Sequence, residues 1–188
     1  MDSLPDADLP VLPVRRTDAP YPLLALLARS ALLRKDLRGV HAGVALDLNL
    51  RLLDAASGAP LVDAAVYLHQ DSPVTLRGVQ LSGADGQVHL RTLRPRVGHD
   101  GRAVIALQLC PTRDGEVRAI ANLRLCLPGW RRGDPAPDRP ALEPPDLLLL
   151  PAPTVQPGHG ESITLSIALA GIDDHPLPPA EKDTHATP

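Results

Sequence analysis

Apolar and polar residues alternate along short segments of this chain, and turn residues separate those segments. The clearest example is Val44–Leu52, where every second residue is Val or Leu and the residues between are Ala, Asp, Asn and Arg. A period of two is typical of a strand with one buried face. Clusters such as Ala56–Pro60 and Asp85-Gly86 are typical of turns. The segments predicted as strands are 44–53, 61–69, 87–93, 103–110, 117–127 and 162–169.

Short strands at regular spacing predict an all-β fold, an antiparallel β-sandwich with a Leu-rich N-terminal segment before it. In segment 61–69 the pattern leaves one question open: Val66 and Leu68 lie on the face opposite Tyr67, or share a face with it through a bulge. The predicted organisation is a flexible arm over residues 1–19, one sandwich domain over residues 20–170 and a disordered tail over residues 171–188.

Composition narrows the function classes. The chain has 22 prolines and no phenylalanine, so its core must be built from Leu, Val, Ile and Ala. The formal net charge is -3, with 19 Lys plus Arg against 22 Asp plus Glu and no basic block, so we expect no nucleic-acid partner.

No apolar run reaches the roughly 20 residues of a membrane span, so no membrane association is expected. Arg15-Arg16 followed by a Leu-rich stretch is compatible with a twin-arginine export signal. Pro20 and Pro22 interrupt the start of that stretch, so we expect the protein to be cytoplasmic.

The chain has two cysteines, Cys110 and Cys126. If the segment between them forms a hairpin about Asp114-Gly115, Cys110 lies opposite a residue near Ala119, and the two sulfur atoms are too far apart for a disulfide. We therefore expect two reduced thiols, as in a reducing cytoplasm.

One block carries a family resemblance. The segment Thr75–Pro95 reads T-L-R-G-V-Q-L-S-G-A-D-G-Q-V-H-L-R-T-L-R-P. It resembles the signature of the intradiol ring-cleavage dioxygenases, which is close to F-L-R-G-x-Q-x-T-D-x-x-G-x-V-x-F-x-T-I-x-P-G-x-Y. Leu33–Arg38, Leu48–Leu68 and Leu125–Gly129 are similar to further family motifs in the same order. The resemblance runs from about Pro20 to Leu169 and implies that family's β-sandwich, which holds ferric iron between its loops and the end of one sheet.

The resemblance also implies four iron ligands, two tyrosines and two histidines. The family's H-x-H strand aligns with Val104 and Ala106, which have no metal-binding atoms. Its P-G-x-Y turn aligns with Pro95–Gly98, and the loop of its other tyrosine is shortened to Gln70–Val74; neither contains tyrosine. The expected cofactor is therefore none, with iron as the alternative. We also expect Val104 and Ala106 to fill the space of the former pocket.

Several residues remain as candidate site residues. Arg77, Gln80 and Arg102 match family positions near the metal, so the resemblance implies a ligand-binding role for them. A relocated metal site is the weaker alternative and would use His99 or His69. The strand pattern places His89, between Val88 and Leu90, on a solvent-facing side.

The sequence thus predicts a non-catalytic, metal-free homologue of these dioxygenases that acts as a structural, regulatory or binding protein. The first alternative is an active iron-dependent intradiol enzyme, of the catechol-cleaving type, with a rearranged metal site. The second is an interaction sandwich whose ancestry does not inform its role. Some family enzymes pair a catalytic chain with an iron-free homologue. The family's sandwiches associate through their N-terminal segments, so the resemblance implies a homodimer, or a complex with a catalytic homologue, through the apolar segment 20–33. The alternative is that this segment folds back over its own sandwich.

Overall fold

The computed structural model describes residues 9–22, 31–71, 74–97, 103–113, 115–127, 147–149 and 151–172. These residues form strands, turns and loops but no helix, so no described helix is long and apolar enough to cross a membrane. The strands are β1 (Val11–Pro13), β2 (Arg15–Pro22), β3 (Ala45–Asp54), β4 (Ala65–Gln70), β5 (Leu76–Leu81), β6 (Gln87–Leu93), β7 (Ala103–Cys110), β8 (Thr112–Arg113), β9 (Glu116–Leu127), β10 (Leu147–Leu149), β11 (Thr154–Gln156) and β12 (Gly160–Ala170).

The described strands form two sheets, which confirms the all-β sandwich. The first sheet has the order β1-β12-β3-β6, and β11 also pairs with β12. The second sheet has the order β10-β9-β7-β4-β5, and β2 and β8 also pair with β9. Strand β12 runs parallel to β3, β1 runs parallel to β12, and β10 runs parallel to β9. Both sheets are therefore mixed, whereas the sequence predicted an antiparallel sandwich. The alternation of apolar and polar residues shows which face of a strand is buried, but it carries no information on strand direction.

The core lies between the two sheets and is made of aliphatic side chains. Strand β3 contributes four leucines at alternate positions, and β4 contributes Val66 and Leu68, both with no exposed surface. Tyr67 lies half-buried on the outer face of the second sheet. Because β4 pairs in unbroken register with both of its neighbours, Val66 and Leu68 share the inner face opposite Tyr67 without a bulge. The four leucines of β3 are Leu46, Leu48, Leu50 and Leu52.

The N-terminal segment corrects one prediction. Residues 11–22 lie in strands β1 and β2, where the proline-rich sequence predicted a flexible arm up to residue 19. Leu12 is completely buried and lies opposite Leu169 in the parallel pair of β1 and β12. Burying such a side chain contributes roughly 1.5–3 kcal/mol, which offsets part of the entropy lost on ordering this short strand. The other domain limits stay a prediction, since residues 1–8 and 173–188 lie outside the described residues.

Residues 32–38, which we call the strap, connect the edges of the two sheets. The Leu32 carbonyl accepts a hydrogen bond of 2.8 Å from the backbone N–H of Val79 in β5. Further along, the Lys35 carbonyl accepts from the N–H of Arg91 in β6, and the N–H of Leu37 donates to the Arg91 carbonyl, each at 2.8 Å. The Leu37 side chain is 1% exposed. The strap therefore covers the side of the sandwich between β5 and β6 and pairs with two strand edges.

Cys110 and Cys126 are both buried, and no disulfide joins them. In the β7–β9 pair Cys126 lies opposite Val104, whereas Leu109, next to Cys110, lies opposite Ala121. The two thiols are therefore at different ends of the pair, in agreement with the predicted separation of the two sulfur atoms.

Candidate functional site

The family's histidine positions lie on the outer face of the second sheet. Ile105 and Leu107 of β7 point into the core, so Val104 and Ala106, which alternate with them, point away from it. Both are half-buried. The expectation that these two residues would fill a former pocket as part of the core is therefore wrong: they belong to a face that the core does not cover.

Four residues on neighbouring strands lie side by side across this outer face. His69 of β4 is paired with Arg77 of β5 on one side and with Ala106 of β7 on the other. Ala106 is in turn paired with Arg124 of β9. Since cross-strand partners point to the same face, their side chains form one line, Arg77–His69–Ala106–Arg124, which we call the basic row. Arg77 is exposed, and the other three are half-buried.

The adjacent line across the same strands contains one aliphatic, one aromatic and two amide side chains. It consists of Val79, Tyr67, Gln108 and Asn122, one residue per strand. The Gln108 side-chain amide donates a hydrogen bond of 3.3 Å to Asn122 Oδ1. Beyond this line the face becomes apolar, with a small cluster packed around Tyr67. That cluster comprises Ala65, Val79, Cys110 and Val117, with Leu81 and Ile120 partly buried against it.

The predicted binding residues are only partly brought together. Arg77 and Gln80 both lie on β5, but they are three residues apart in unbroken register with β4, so their side chains point to opposite faces. Arg77 points outward with the basic row, whereas half-buried Gln80 shares the inner side with Leu76. Arg102 and the alternative metal candidate His99 lie outside the described residues.

No protein-family model matches this sequence, and no curated protein does. Solved structures do match. The dioxygenase domain of a dioxygenase–carbohydrate-binding protein fusion from Streptomyces sp. SirexAA-E is 21% identical, with 76% of this chain and 90% of that chain covered and a TM-score of 0.55. An intradiol ring-cleavage dioxygenase from Tetranychus urticae is 16% identical over 84% of this chain and 93% of its own, with a TM-score of 0.51. Chlorocatechol 1,2-dioxygenase from Pseudomonas putida is 15% identical over 76% and 68%, with a TM-score of 0.54.

The chain has the fold of the intradiol ring-cleavage dioxygenases. The shared fold agrees with the resemblance of the Thr75–Pro95 block, which here forms β5, the turn at Asp85-Gly86 and β6. Identities at this level concern the scaffold alone, and the chemistry of this chain has to be judged from its own side chains.

The intradiol dioxygenase fold implies iron, and the described residues do not fit it. No group of three or more His, Cys, Asp or Glu side chains in the described part of the chain is placed to hold a metal ion. At the basic row the available donors are His69 and Asp71, whose Nε2 and Oδ1 atoms are 2.9 Å apart. Arg77 lies beside His69, and Arg124 lies beside Ala106. A guanidinium group has no lone pair to offer a metal, so the two arginines add no further donors.

His89, on the outer face of the first sheet of this dioxygenase-like fold, is more enclosed than predicted. Its Nδ1 atom is 2.5 Å from Asn49 Oδ1, and its Nε2 atom is 3.7 Å from Asp47 Oδ1. Burial lowers the pKa of His89, and the positive charge of Lys35 lowers it further. The strand pattern identified the outward face correctly, but the strap carries Lys35 alongside it, which no local pattern shows.

Asp47, whose carboxylate lies near His89, forms a polar cluster with His89, Asn49 and Arg91. Arg91 donates to both of its carboxylate oxygens, Nε at 2.6 Å and an Nη at 2.7 Å. This bidentate pair lowers the pKa of Asp47. In the strap, Arg38 donates to both oxygens of Asp36 at 3.0 and 2.7 Å and lowers the pKa of Asp36 to about 2. Because each of these two carboxylates is held by an arginine, the arrangement does not suit acid–base chemistry. The strap itself is attached to β6 by backbone hydrogen bonds at Arg91.

Proposed function

We propose that this chain is a non-catalytic, metal-free homologue of the intradiol ring-cleavage dioxygenases and acts as a binding protein, with a structural or regulatory role in the complexes it forms. The observation that carries the proposal is the pair Val104 and Ala106. They lie on the outer sheet face at the positions where the resemblance implies two iron-binding histidines. An isopropyl group and a methyl group have no lone pair to offer a metal, whatever the surrounding loops contribute.

The surroundings of Ala106 support the same proposal. An intradiol site needs ligands that stabilise ferric iron, and tyrosinate and imidazole do so through anionic or neutral donors. Here Ala106 has Arg124 on one side and His69 on the other, with Arg77 next to His69. Ala106 and the two guanidinium groups offer a metal no lone pair, which leaves His69 as the one donor side chain of this row.

Metal analysis of protein purified from an iron-replete host tests the proposal. We expect sub-stoichiometric iron, no visible tyrosinate-to-iron absorption band, and no oxygen uptake with catechol or chlorocatechol. Chlorocatechol 1,2-dioxygenase from Pseudomonas putida, which shares the fold, serves as the active control in the same assays. One iron per chain together with turnover of either substrate contradicts the proposal.

An iron-dependent intradiol dioxygenase with a rearranged site is the second candidate, and the position of His69 favours it. His69 lies directly across from Ala106, one strand from a family histidine position, and is already bonded to the carboxylate of Asp71. If this candidate is correct, the purified protein contains iron, and His69→Ala removes it. His41→Ala, a change in an exposed loop histidine, is the matched control and leaves the iron content unchanged.

The partner we propose is a second copy of the chain or a catalytic homologue, bound through residues 20–33. Within that segment Leu32 and Leu33 are described with their side chains, and they are 36% and 44% exposed. Two neighbouring leucines exposed to this extent are suited to burial against another protein surface. We place the protein in the cytoplasm, and the buried, reduced Cys110 and Cys126 support that location.

A further inference from the structure

A surface patch lies where the strap meets the edge of β5. Leu33 of the strap is paired in parallel with Val79 of β5, and paired residues point to the same face. Leu33 therefore lies on the outer face of the second sheet, to which Arg77 also points. Leu32 and Leu33 are 36% and 44% exposed. We call Leu32, Leu33, Arg34 and Arg77 the strap patch.

The strap patch has two positive side chains beside its leucines. Arg34 and Arg77 are both exposed. Arg34 donates a hydrogen bond of 3.1 Å to the Arg77 carbonyl, which keeps its guanidinium group at this edge. The Arg77 guanidinium group makes no ion pair with the described residues, and the carboxylate of Asp71 is held by His69 at 2.9 Å. The patch thus combines apolar surface with two groups that can each bind a carboxylate.

The sequence that follows the described residues has the complementary chemistry. After Ile172 the chain reads Asp-Asp-His-Pro-Leu-Pro-Pro over residues 173–179, which we call the acidic segment. Two carboxylates precede a leucine in this segment. Its three prolines restrict the backbone, so less entropy is lost when it binds than for an unrestricted chain.

The spacing of these groups agrees with the strap patch. Asp174 and Leu177 are three residues apart, which is about 10 Å in an extended chain. Arg77 and Leu33 are separated by two residues along β5 and by one strand spacing, which together give about 8 Å. One extended segment can therefore place a carboxylate at Arg77 and a leucine at Leu33.

Arg77 lies near the end of the sandwich at which β12 begins. Gln70 is one residue further along the β4–β5 pair, and its side chain is bonded to Thr92 of β6 at 2.9 Å. Thr92 is paired with Leu46 of β3, and so is Glu161, the second residue of β12. These residues therefore lie at about the same height in the two sheets, close to Arg77.

The acidic segment of the same chain cannot bring its two carboxylates to Arg77. Strand β12 has 11 residues and spans about 35 Å, and Ile172 lies beyond its far end. Asp173 and Asp174 extend the chain by about 7 Å, which is too short by more than about 20 Å. If the acidic pair meets the strap patch, it comes from a second copy of the chain.

We propose that the strap patch binds the acidic segment of a second copy. The carboxylates of Asp173 and Asp174 lie at Arg34 and Arg77, and Leu177 packs against the exposed leucines of the strap. In a two-fold symmetric dimer each acidic segment binds the other copy, so the contact occurs twice. This inference rests on the proposed homodimer and specifies which residues meet the strap.

Sedimentation equilibrium and light scattering of the full chain test the proposal. Asp173→Asn with Asp174→Asn should raise the Kd of the dimer by about fivefold to thirtyfold, which corresponds to about 1–2 kcal/mol for two exposed contacts. Glu181→Gln with Asp183→Asn removes the same charge from the chain and is the matched control. It should change the Kd by less than about twofold. Equal effects of the two double variants overturn the proposal, because the position of the carboxylates then has no influence.

Reversal of the charges locates the contact. Arg34→Glu with Arg77→Glu should dissociate the dimer, and Asp173→Arg with Asp174→Arg should do the same. The four changes together should restore a dimer with a Kd within about tenfold of the wild-type value. Arg51→Glu changes an exposed arginine on the first sheet and should have no effect. A fourfold variant that dimerises no better than either double variant overturns the proposal, and the asparagine variants decide it if the strap variant does not fold.

The two proposals fail in different ways. If Leu33→Glu dissociates the dimer and the changes at Asp173 and Asp174 do not, the acidic segment is not the occupant, while the interface through residues 20–33 stands. If the wild-type protein is a monomer, the homodimer and this inference are both wrong. If it contains stoichiometric iron and consumes oxygen with catechol, the non-catalytic proposal is wrong, whatever the dimer does.

Discussion

The side chain of Leu37 occupies the space that a Cβ atom on Gly78 would need. A Cβ placed there would be 2.0 Å from Leu37 Cδ2 and 3.1 Å from its Cγ. Gly78 thus allows the strap to approach β5 closely and to bury Leu37 between the two sheets. The contact joins two segments that each resemble a family motif, Leu33–Arg38 and Thr75–Pro95.

Gly78→Ala should therefore destabilise the protein by about 1–3 kcal/mol, because the new methyl group forces Leu37 out of its position. The measurement is chemical denaturation followed by circular dichroism. Gly83→Ala is the matched control: its Cβ would meet the carboxylate end of Asp85 at 3.2 Å, a side chain that can move. Leu37→Ala should cost less stability in the Gly78→Ala background than in the wild-type protein, because the clash is then relieved, so fully additive effects of the two changes contradict this account.

Gln70 connects the two sheets through a buried side chain. Its Nε2 donates to the Leu93 carbonyl, and its Oε1 accepts from Thr92 Oγ1, both at 2.9 Å. Gln70→Leu should lower the free energy of unfolding by about 1–3 kcal/mol, because the two β6 groups lose their buried partner. Adding Thr92→Val should restore part of that loss, since the hydroxyl that needs a partner is then gone. A double variant less stable than Gln70→Leu alone would contradict the assignment.

Low pH should reduce the free energy of unfolding, because Asp47 then becomes protonated. Its pKa is lowered in the folded state, mainly by the hydrogen bonds from Arg91. A lowered carboxyl pKa contributes stability that is present above the unfolded value of about 3.9 and is lost as the pH falls through the folded value. Asp47→Asn should therefore reduce stability at pH 7 by about 1–3 kcal/mol and make the melting temperature less dependent on pH below about 5. A slope identical to that of the wild-type protein would show that other carboxyls dominate.

His89 should make the stability of the protein depend on pH in a second, higher pH range. Its pKa is lowered by burial, so the neutral ring is favoured in the folded protein. That stability is present above the unfolded pKa of about 6.5 and declines as the pH falls below it. Because the ring is partly exposed, the effect between pH 7 and 5 should be below about 1 kcal/mol. His89→Gln should flatten the melting temperature between these two pH values, whereas His41→Gln, in an exposed loop, should not.

The partner surface can be tested at Leu33. Its side chain is 44% exposed, although its backbone is paired with Val79. If segment 20–33 forms an interface, Leu33→Glu should convert an oligomer into monomers in size-exclusion chromatography with light scattering. Val40→Glu, at a position that is 99% exposed, should leave the oligomer intact. A wild-type protein that is monomeric and binds no catalytic homologue contradicts the proposed partners.

Sequence patterns located most of the long strands, because each strand buries one face. Segments 87–93 and 103–110 agree with β6 and β7 residue for residue. Strand β5 was missed because Gly78 interrupts its apolar pattern, and in the structure that glycine is needed by the strap. The pattern does not show strand β1, because three residues are too few for a period and the strand is stabilised by its pairing with the distant strand β12.

The candidate site was less predictable than the fold. Arg77 was identified through the resemblance, whereas Arg124 and the neighbouring position of His69 were not. Their proximity depends on the register of β4, β7 and β9, and the pattern along each strand does not show which residues face one another across strands. The resemblance also grouped Arg77 with Gln80, and the alternation along β5 separates them onto two faces.

The position of β12 between β1 and β3 has a consequence for how the protein is made on the ribosome. Strand β3 is among the first long strands to be synthesised, whereas its parallel neighbour β12 is the last. One edge of β3 therefore stays unpaired until residue 170 has left the ribosome. An apolar strand with an open edge is prone to pair with other chains in that interval. We expect a nascent chain truncated before β12 to remain protease-sensitive and to engage chaperones, with native resistance acquired only once translation has passed residue 170.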